Sequence, residues 1–298
     1  LNKQGWIIYN GNLPGNKFLD FAEWIQSAAA KKSSKTTIYK NNELLSFLGL
    51  NQLELLQQSN NQLPDYVVFA DKDIYLAKQL ELLGVPVFNS AESIHISDDK
   101  IATYQYLAKN KLPIPKTIIA PKIFLKGKPD NNSIQLAIQK LGLPMIVKEA
   151  FGSFGEQVYL VHTEEELMKK TNELQGKAFI FQEFISSSYG KDLRLHVVGE
   201  KVVASMIRKA ANDFRANVSA GGTMEAYLPT EQEENLAIAA TKAIGADFAG
   251  VDLLFGPNNT PLVCEINSNA HIRNMYDCTG INVSDFIMEY ILDKIKDE

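Results

Sequence analysis

Three residues near the end of the chain have the types and spacing of a metal-ligand set. Asp252 lies in one apolar run, and Glu265 and Asn267 lie in the next. Glu265 and Asn267 are two apart, so on a strand both project from one face. Gly256-Pro257-Asn258-Asn259 between the runs is a strong turn signal. It makes the runs antiparallel neighbours and can bring Asp252 beside the other two. Two carboxylates and an amide oxygen suit a hard cation such as magnesium, which takes oxygen ligands and phosphates. The neighbours Val251, Leu253, Leu254, Val263 and Ile266 are apolar. Unpaired carboxylates are costly in such surroundings. The same three residues also fit polar strand positions that face solvent or a nearby arginine.

A second group suits phosphate. Lys148 ends an apolar run and precedes a turn with Gly152, Ser153 and Gly155. Lysine offers a point charge to phosphate oxygens, and glycine lets backbone N–H groups come close. An ordinary hairpin with an exposed lysine fits equally. Lys100 near a helix start, Arg208 ending a strand, and Arg215 in Asp213-Phe214-Arg215-Ala216-Asn217 are further cations. Each alone also fits a surface charge. Gly221-Gly222-Thr223 follows closely, so this stretch is a loop able to wrap a ligand. In Phe181-Gln182-Glu183-Phe184-Ile185 an acid interrupts an apolar run. Its backbone edge could read an adenine, with apolar residues sandwiching the ring; it also fits a plain core strand.

Elements must carry these residues. Strand patterns at Trp6–Tyr9, Thr36–Tyr39, Tyr66–Ala70 and Val85–Phe88 alternate with helical patterns. The helical patterns run from Phe18 to Ala29, Leu44 to Leu56 and Ile74 to Leu83. The alternation predicts a mainly parallel open sheet covered on both faces. No Gly-x-Gly-x-x-Gly follows the first strand, so a dinucleotide site is not supported. Ser97-Asp98-Asp99-Lys100 predicts the start of a helix reaching about Asn110. Lys126 to Asn132 reads as a loop and Ile134 to Leu141 as a helix. Met145–Lys148 and Gln157–Val161 predict a hairpin around the glycine turn. Thr163 to Leu174 predicts a helix with a Thr-x-x-Glu start. Later strands are expected at Ala178–Ile185, Leu193–His196, Lys201–Arg208, Phe248–Phe255 and Pro261–Asn267. Later helices are expected at Glu233–Ile244 and Ser284–Ile295. Cys264 should then point away from Glu265, into the core. The fold class is α/β, with an α+β C-terminal part. The expected domains are 1–96, a central 97–180 with the glycine hairpin, and 181–298 with the metal site.

The chain has 298 residues, 30 Lys and Arg against 35 Asp and Glu, and a net charge of −5. Hydrophobic residues at 45% and charged residues at 22% argue for a globular chain rather than a disordered one. An acidic balance lacks the basic field of a general nucleic-acid binder. Two cysteines, Cys264 and Cys278, cannot build a disulfide framework or a cysteine zinc site. No apolar stretch reaches the roughly 20 residues that span a bilayer. The first residues lack a signal-peptide pattern. The expectation is a soluble, cytoplasmic protein with no membrane partner.

In order, these strings resemble the ATP-grasp superfamily, and more narrowly its RimK-like branch, the ribosomal-protein glutamate ligases and their relatives. The resemblance runs from about Asp98 to Ile287. It rests on Gln182-Glu183-Phe184-Ile185, Gly190-Lys191-Asp192-Leu193-Arg194, Asp213 to Asn217 with Gly221-Gly222, Ala249-Gly250-Val251-Asp252, Glu265-Ile266-Asn267 and Thr279-Gly280-Ile281. The first third is similar only in its α/β pattern, like the family's pre-ATP-grasp domain. An ATP-grasp fold is therefore implied.

The resemblance also implies roles. Lys100 and Lys148 would hold nucleotide phosphates, and Gly152, Ser153 and Gly155 would belong to the loop that closes over them. Gln182, Glu183, Phe184 and Ile185 would contact adenine, and Asp192 would lie near the sugar. Arg215 and Asn217 would line the nucleotide and reaction centre. Arg208 would sit near the transferred phosphate. Lys148, Arg208 and Arg215 would be the catalytic cations. Asp252, Glu265 and Asn267 would bind two Mg2+ ions, with Mn2+ as a substitute and Glu265 bridging.

Relatives commonly continue into a Ser-Pro-Gly-type turn, whereas this chain has Ser268-Asn269-Ala270-His271-Ile272-Arg273. Asn269, His271 and Arg273 would then face the substrate. His271 and Arg273 read either as carboxylate binders or as loop residues with local ion pairs. The implied reaction is ATP-dependent joining of a carboxylate to an amine through an acyl phosphate. The implied substrates are an amino-acid (glutamate-type) or small-peptide carboxylate donor and an amine acceptor. A peptide-modifying ligase acting on side-chain carboxylates is the second reading, and a non-catalytic nucleotide-binding module the third. Family analogy also suggests a homo-oligomer.

Overall fold

The structure, a computed structural model, describes residues 3–57, 62–124, 127, 130–152, 155–216 and 221–296. Among the expected site residues, Ser153 and Asn217 lie outside the described residues, as do positions 126, 128 and 129 of the loop expected from Lys126 to Asn132.

The chain opens with β1 (Gln4–Tyr9), α1 (Lys17–Lys31), β2 (Lys35–Lys40), β3 (Leu45–Gly49), β4 (Gln52–Leu56), β5 (Tyr66–Ala70), α2 (Ile74–Leu82) and β6 (Val87–Phe88). Four strands form a parallel sheet in the order β2-β1-β5-β6. Its central strands are buried on both faces, which explains their unbroken apolar runs. The expected helix from Leu44 to Leu56 is instead the hairpin of β3 and β4. Leucines there recur at helical spacing, but Asn51 takes a left-handed φ of 58° and turns the chain back. The hairpin leaves Leu45, Leu48, Leu50 and Leu56 exposed.

The middle of the chain supplies α3 (Ala91–Asp98), α4 (Lys100–Lys109), β7 (Thr117–Ile119), α5 (Asn131–Leu141), β8 (Met145–Glu149), β9 (Val158–Val161), α6 (Glu164–Glu173) and β10 (Phe179–Glu183). Asp99 ends α3 and caps α4, its carboxylate accepting the Ile101 N–H at 2.8 Å. The sheet order is β7-β10-β8-β9, all antiparallel. Its core gathers Met145, Val147, Phe179 and Phe181 with Ile134 of α5 and Leu167 of α6.

The last part contains β11 (Lys191–Val198), β12 (Lys201–Lys209), β13 (Thr223–Ala226), α7 (Glu231–Ala243), β14 (Phe248–Phe255), β15 (Pro261–Asn267), α8 (Arg273–Thr279) and α9 (Val283–Lys294). These strands form an antiparallel sheet in the order β13-β12-β11-β14-β15. Strand alternation separates its faces. Leu193, Leu195, Val251 and Leu253 turn to one face and pack with Leu236 and Ala240 of α7 and Leu107 of α4. Asp192, Arg194, His196 and Val198 alternate with them. The Val198 end of that second face is apolar. There Val198, Ala204, Met206 and Phe248 share one core with Phe21, Ile25 and Ala28 of α1 and Ile287 and Ile291 of α9. The other end of the same face is polar.

Candidate active site

The polar end of this face is an ion-pair lattice. The register aligns Asp192 with Arg208, Arg194 with Asp252, and Asp252 with Glu265. Arg194 grips Asp252 with Nε on Oδ1 and Nη2 on Oδ2, each at 2.7 Å. Arg208 donates to both oxygens of Asp192, at 2.8 and 2.6 Å, and its Nη2 also reaches Asp252 Oδ2 at 2.8 Å. All four groups are largely buried. Burial pushes Asp252 up, but Arg194 and Arg208 outweigh it and hold this carboxyl low. For Asp192 burial wins over Arg208, and the pKa is raised. The family string contains Arg194, yet no role was expected for it. Its spacing of two from Asp192 on one strand is the signal that places it on the same face.

Two lysines approach from the central part. Lys148 on β8 is buried, with Nζ 3.3 Å from the Tyr104 hydroxyl and 3.8 Å from Cys264 Sγ. Burial opposes its charge, but the Cys264 sulfur, the Tyr104 hydroxyl and the Glu265 carboxylate outweigh burial and raise its pKa. Cys264 therefore does not point into the core away from the site. The register shifts between Asp252 and Leu253, so Cys264 is an extra residue opposite that step and the strict alternation assumed for β15 fails. Lys100, the first residue of α4, places Nζ 3.2 Å from the Gly152 carbonyl and 4.0 Å from Glu265 Oε1. Burial lowers its pKa.

The glycine hairpin and the loop after β12 meet at Arg215. Its Nη1 donates to the Gly155 carbonyl at 2.5 Å, while Nη2 pairs with Asp213 at 2.8 Å. Gly190 anchors that loop. Its N–H donates to the Phe214 carbonyl at 3.0 Å, and its carbonyl accepts the Ala210 N–H at 2.7 Å. Its φ of +63° and the approach of two carbonyls leave no room for a side chain.

The expected adenine segment ends β10. Gln182 is buried and donates to Thr117 at 2.8 Å. Glu183 accepts the Lys116 N–H at 2.7 Å. Phe184 lies edge-on to Tyr189, with 6.3 Å between ring centroids, and Ile185 continues the chain beyond the strand.

Past the metal-type residues, Asn269 donates to the Asp71 carbonyl at 2.9 Å. Arg273 makes a two-point ion pair with Asp20, with Nε at 2.8 Å, and covers Trp24 at 5.0 Å. That places Arg273 on an outer seam between α1 and α8. Among the described residues, four buried polar atoms of this neighbourhood have no hydrogen-bond partner: His196 Nε2, Asn267 Nδ2, Asn269 Oδ1 and His271 Nε2.

Among the described residues, no cluster of three or more His, Cys, Asp or Glu side chains could hold a metal alone. Asp252, Glu265 and Asn267 supply two carboxylates and one amide, an oxygen set that suits magnesium shared with phosphate. The unpartnered Nδ2 of Asn267, on the residue that pairs with Gly250, is a donor and calls for an acceptor such as a phosphate oxygen, not for the cation itself. Both oxygens of Asp252 are engaged by arginines, so a cation there would share or displace those bonds.

A family model described as the RimK-like ATP-grasp domain matches residues 97–291. A probable alpha-L-glutamate ligase 1 of Shewanella sp. strain W3-18-1 is 37% identical over 220 residues, covering 72% of this chain and 70% of the relative. The fold is similar to that of the ATP-grasp ligase PsnB, solved with a minimal precursor, Mg and ADP, at TM-score 0.71 and 14% identity over 98% of both chains. It is also similar to D-alanine–D-alanine ligase from Bacillus anthracis, at TM-score 0.72 and 17% identity over 99% of both chains.

Proposed function

We infer, because this chain belongs to the RimK-like ATP-grasp family, that it is a ligase using ATP to join a carboxylate to an amine. One observation carries the reading. Arg194 and Arg208, bound to buried Asp192 and Asp252, stand on the polar end of one sheet, and Lys100 and Lys148 approach from the other part of the molecule toward Glu265.

A free carboxylate is a poor electrophile. Its oxygen attacks the γ-phosphorus of ATP, ADP departs, and an acyl phosphate forms. The amine then attacks the acyl carbon, expels phosphate and gives up a proton as the amide forms. Phosphoryl transfer needs chiefly positioning and charge neutralisation. We assign Lys100 and Lys148 to the nucleotide phosphates, with Gly152 and Gly155 beside them. Arg208 and Arg215 neutralise charge around the transferred phosphoryl group. Gln182 to Ile185 hold the base, and Asp192 lies toward the sugar. Asp252, Glu265 and Asn267 would hold magnesium, which would neutralise phosphate charge. The relatives' name makes L-glutamate the first amino acid to test.

The test is phosphate release from Mg-ATP across amino acids, short peptides and polyamines, paired with mass spectrometry. A product heavier by one condensed residue, with matching phosphate, is the expected result. ATP binding without stimulated release from any pair would count against ligation and for a nucleotide-binding module.

A further inference from the structure

One hydroxyl joins the central sheet to the C-terminal sheet. Lys100 and Tyr104 lie four residues apart on α4, so they share one helix face. That face meets β15 at two consecutive residues. Lys100 Nζ stands 4.0 Å from Glu265 Oε1, and the Tyr104 hydroxyl donates to the Cys264 carbonyl at 2.6 Å. Cys264 is the bulge residue of β15, so this bond fastens the backbone one residue before Glu265.

The same oxygen reaches β8. Lys148 Nζ donates to it at 3.3 Å, and Gln182 Oε1 on β10 lies 3.5 Å away. A tyrosine hydroxyl has one hydrogen. The 2.6 Å bond to Cys264 takes it, which leaves the oxygen free to accept from Lys148. Burial raises the pKa of Tyr104, so the hydroxyl keeps its hydrogen. Both side chains are buried, and water does not compete for these bonds. Lysine is a point charge on a flexible four-carbon stem. Here two neighbours restrict where its ammonium points: the Tyr104 hydroxyl and, at 3.8 Å, Cys264 Sγ. Sulfur is the weaker acceptor, so the hydroxyl is the main holder. An ammonium already held in place loses less freedom when an anion arrives.

We propose that Tyr104 is a positioning residue of the nucleotide site, its hydroxyl aiming the Lys148 ammonium at the phosphate oxygens. The inference rests on the reading that puts Lys148 on the nucleotide phosphates. It adds a buried neutral residue that acts through that lysine.

The test is calorimetric titration of the whole chain with Mg-ADP, in a double-mutant cycle. Tyr104→Phe should raise the Kd about fivefold or more, the order of one hydrogen bond. In a Lys148→Met background the same change should move the Kd less than about twofold, because no ammonium is left to hold. A hydroxyl that serves only the fold costs the same factor in both backgrounds, and that result overturns the proposal. So does a Kd within about twofold of wild type in Tyr104→Phe alone. Both outcomes leave the ligase reading standing. A wild type that binds no Mg-ADP overturns the nucleotide reading and the proposal with it. Tyr104→Phe strands the Cys264 carbonyl. Should it fail to fold, Tyr104→Trp takes its place in the cycle, since an indole N–H supplies that carbonyl with a donor and offers Lys148 no acceptor.

Discussion

Asn89 donates its side-chain N–H to the Ser268 carbonyl at 3.0 Å, one residue beyond Asn267. The same amide donates to the Phe248 carbonyl at 2.8 Å and accepts N–H groups of Asp247 at 2.7 Å and Phe248 at 3.2 Å. Asn89 is fully buried. One side chain between β6 and α3 thus fixes the start of β14 and the end of β15. Asn89→Ala strands these groups, at about 1–3 kcal/mol for each one left unsatisfied. We expect a loss of about 4 kcal/mol or more in denaturant titration, from four such groups. The magnesium concentration for half-maximal turnover should rise several-fold, because the backbone beside Asn267 is released.

Glu265 and Asp252 should respond differently to neutralisation. Glu265 is partly exposed, and its nearest cation is Lys100 at 4.0 Å. Glu265→Gln should leave the melting temperature nearly unchanged and reduce magnesium-dependent turnover at least a hundredfold. Asp252→Ala also leaves Arg194 and Arg208 without their shared counter-charge, which typically costs about 3–5 kcal/mol. Unchanged magnesium dependence in both variants would end the metal assignment.

Gly190→Ala probes the loop that carries Arg215. A methyl group would meet the Ala210 and Asp213 carbonyl oxygens at 2.8 and 2.9 Å. The left-handed φ adds roughly 1–2 kcal/mol. The loop must shift, and Arg215 leaves Gly155. The KM for ATP should rise about tenfold, and a KM within twofold of wild type would show that this loop does not serve the nucleotide.

His196 makes stability depend on pH. Burial, then the neighbouring Arg194, pulls its pKa down to about 3 from an ordinary 6.5. Between those values the unfolded chain binds the proton and the folded chain does not, so stability falls as pH drops below 6.5. From pH 7 to 5 this one group removes about 2 kcal/mol. Urea titrations of wild type and His196→Asn should differ by that amount in their pH dependence. Parallel curves would refute the assignment.

Much of the polar sheet face was legible because it follows local rules. The turn at Gly256 to Asn259 and the two-residue spacing of Glu265 and Asn267 predict neighbours, and the register pairs Asp252 with Glu265 and Gly250 with Asn267. The same alternation from Asp192 reaches Arg194. Cys264 escaped because a bulge inserts one residue into β15, and nothing in its apolar surroundings signals that. The hairpin of β3 and β4 escaped because its leucines satisfy a helical period as well as a turn. Asn10, Asp71 and Asn89 carry no periodic signal at all. Asn10 meets Asp71 61 residues away, and Asn89 meets Phe248 and Ser268 159 and 179 residues away, so only the folded chain brings them together.

The core shared by α1, α9 and the apolar end of the C-terminal sheet has a consequence for how such proteins diversify. Ile25 and Ala28 belong to the same buried cluster as Ile287 and Ile291, although more than 250 positions separate them. Lys31 pairs with Asp285 at 2.8 Å and Lys32 with Glu289 at 3.2 Å along the same seam. The N-terminal strands and α1 are therefore no detachable cassette. A chimera that borrows them from a relative inherits half of a jigsaw whose matching half is the tail of the chain. A productive exchange replaces both ends of the gene at once, because α1 and α9 pack on each other.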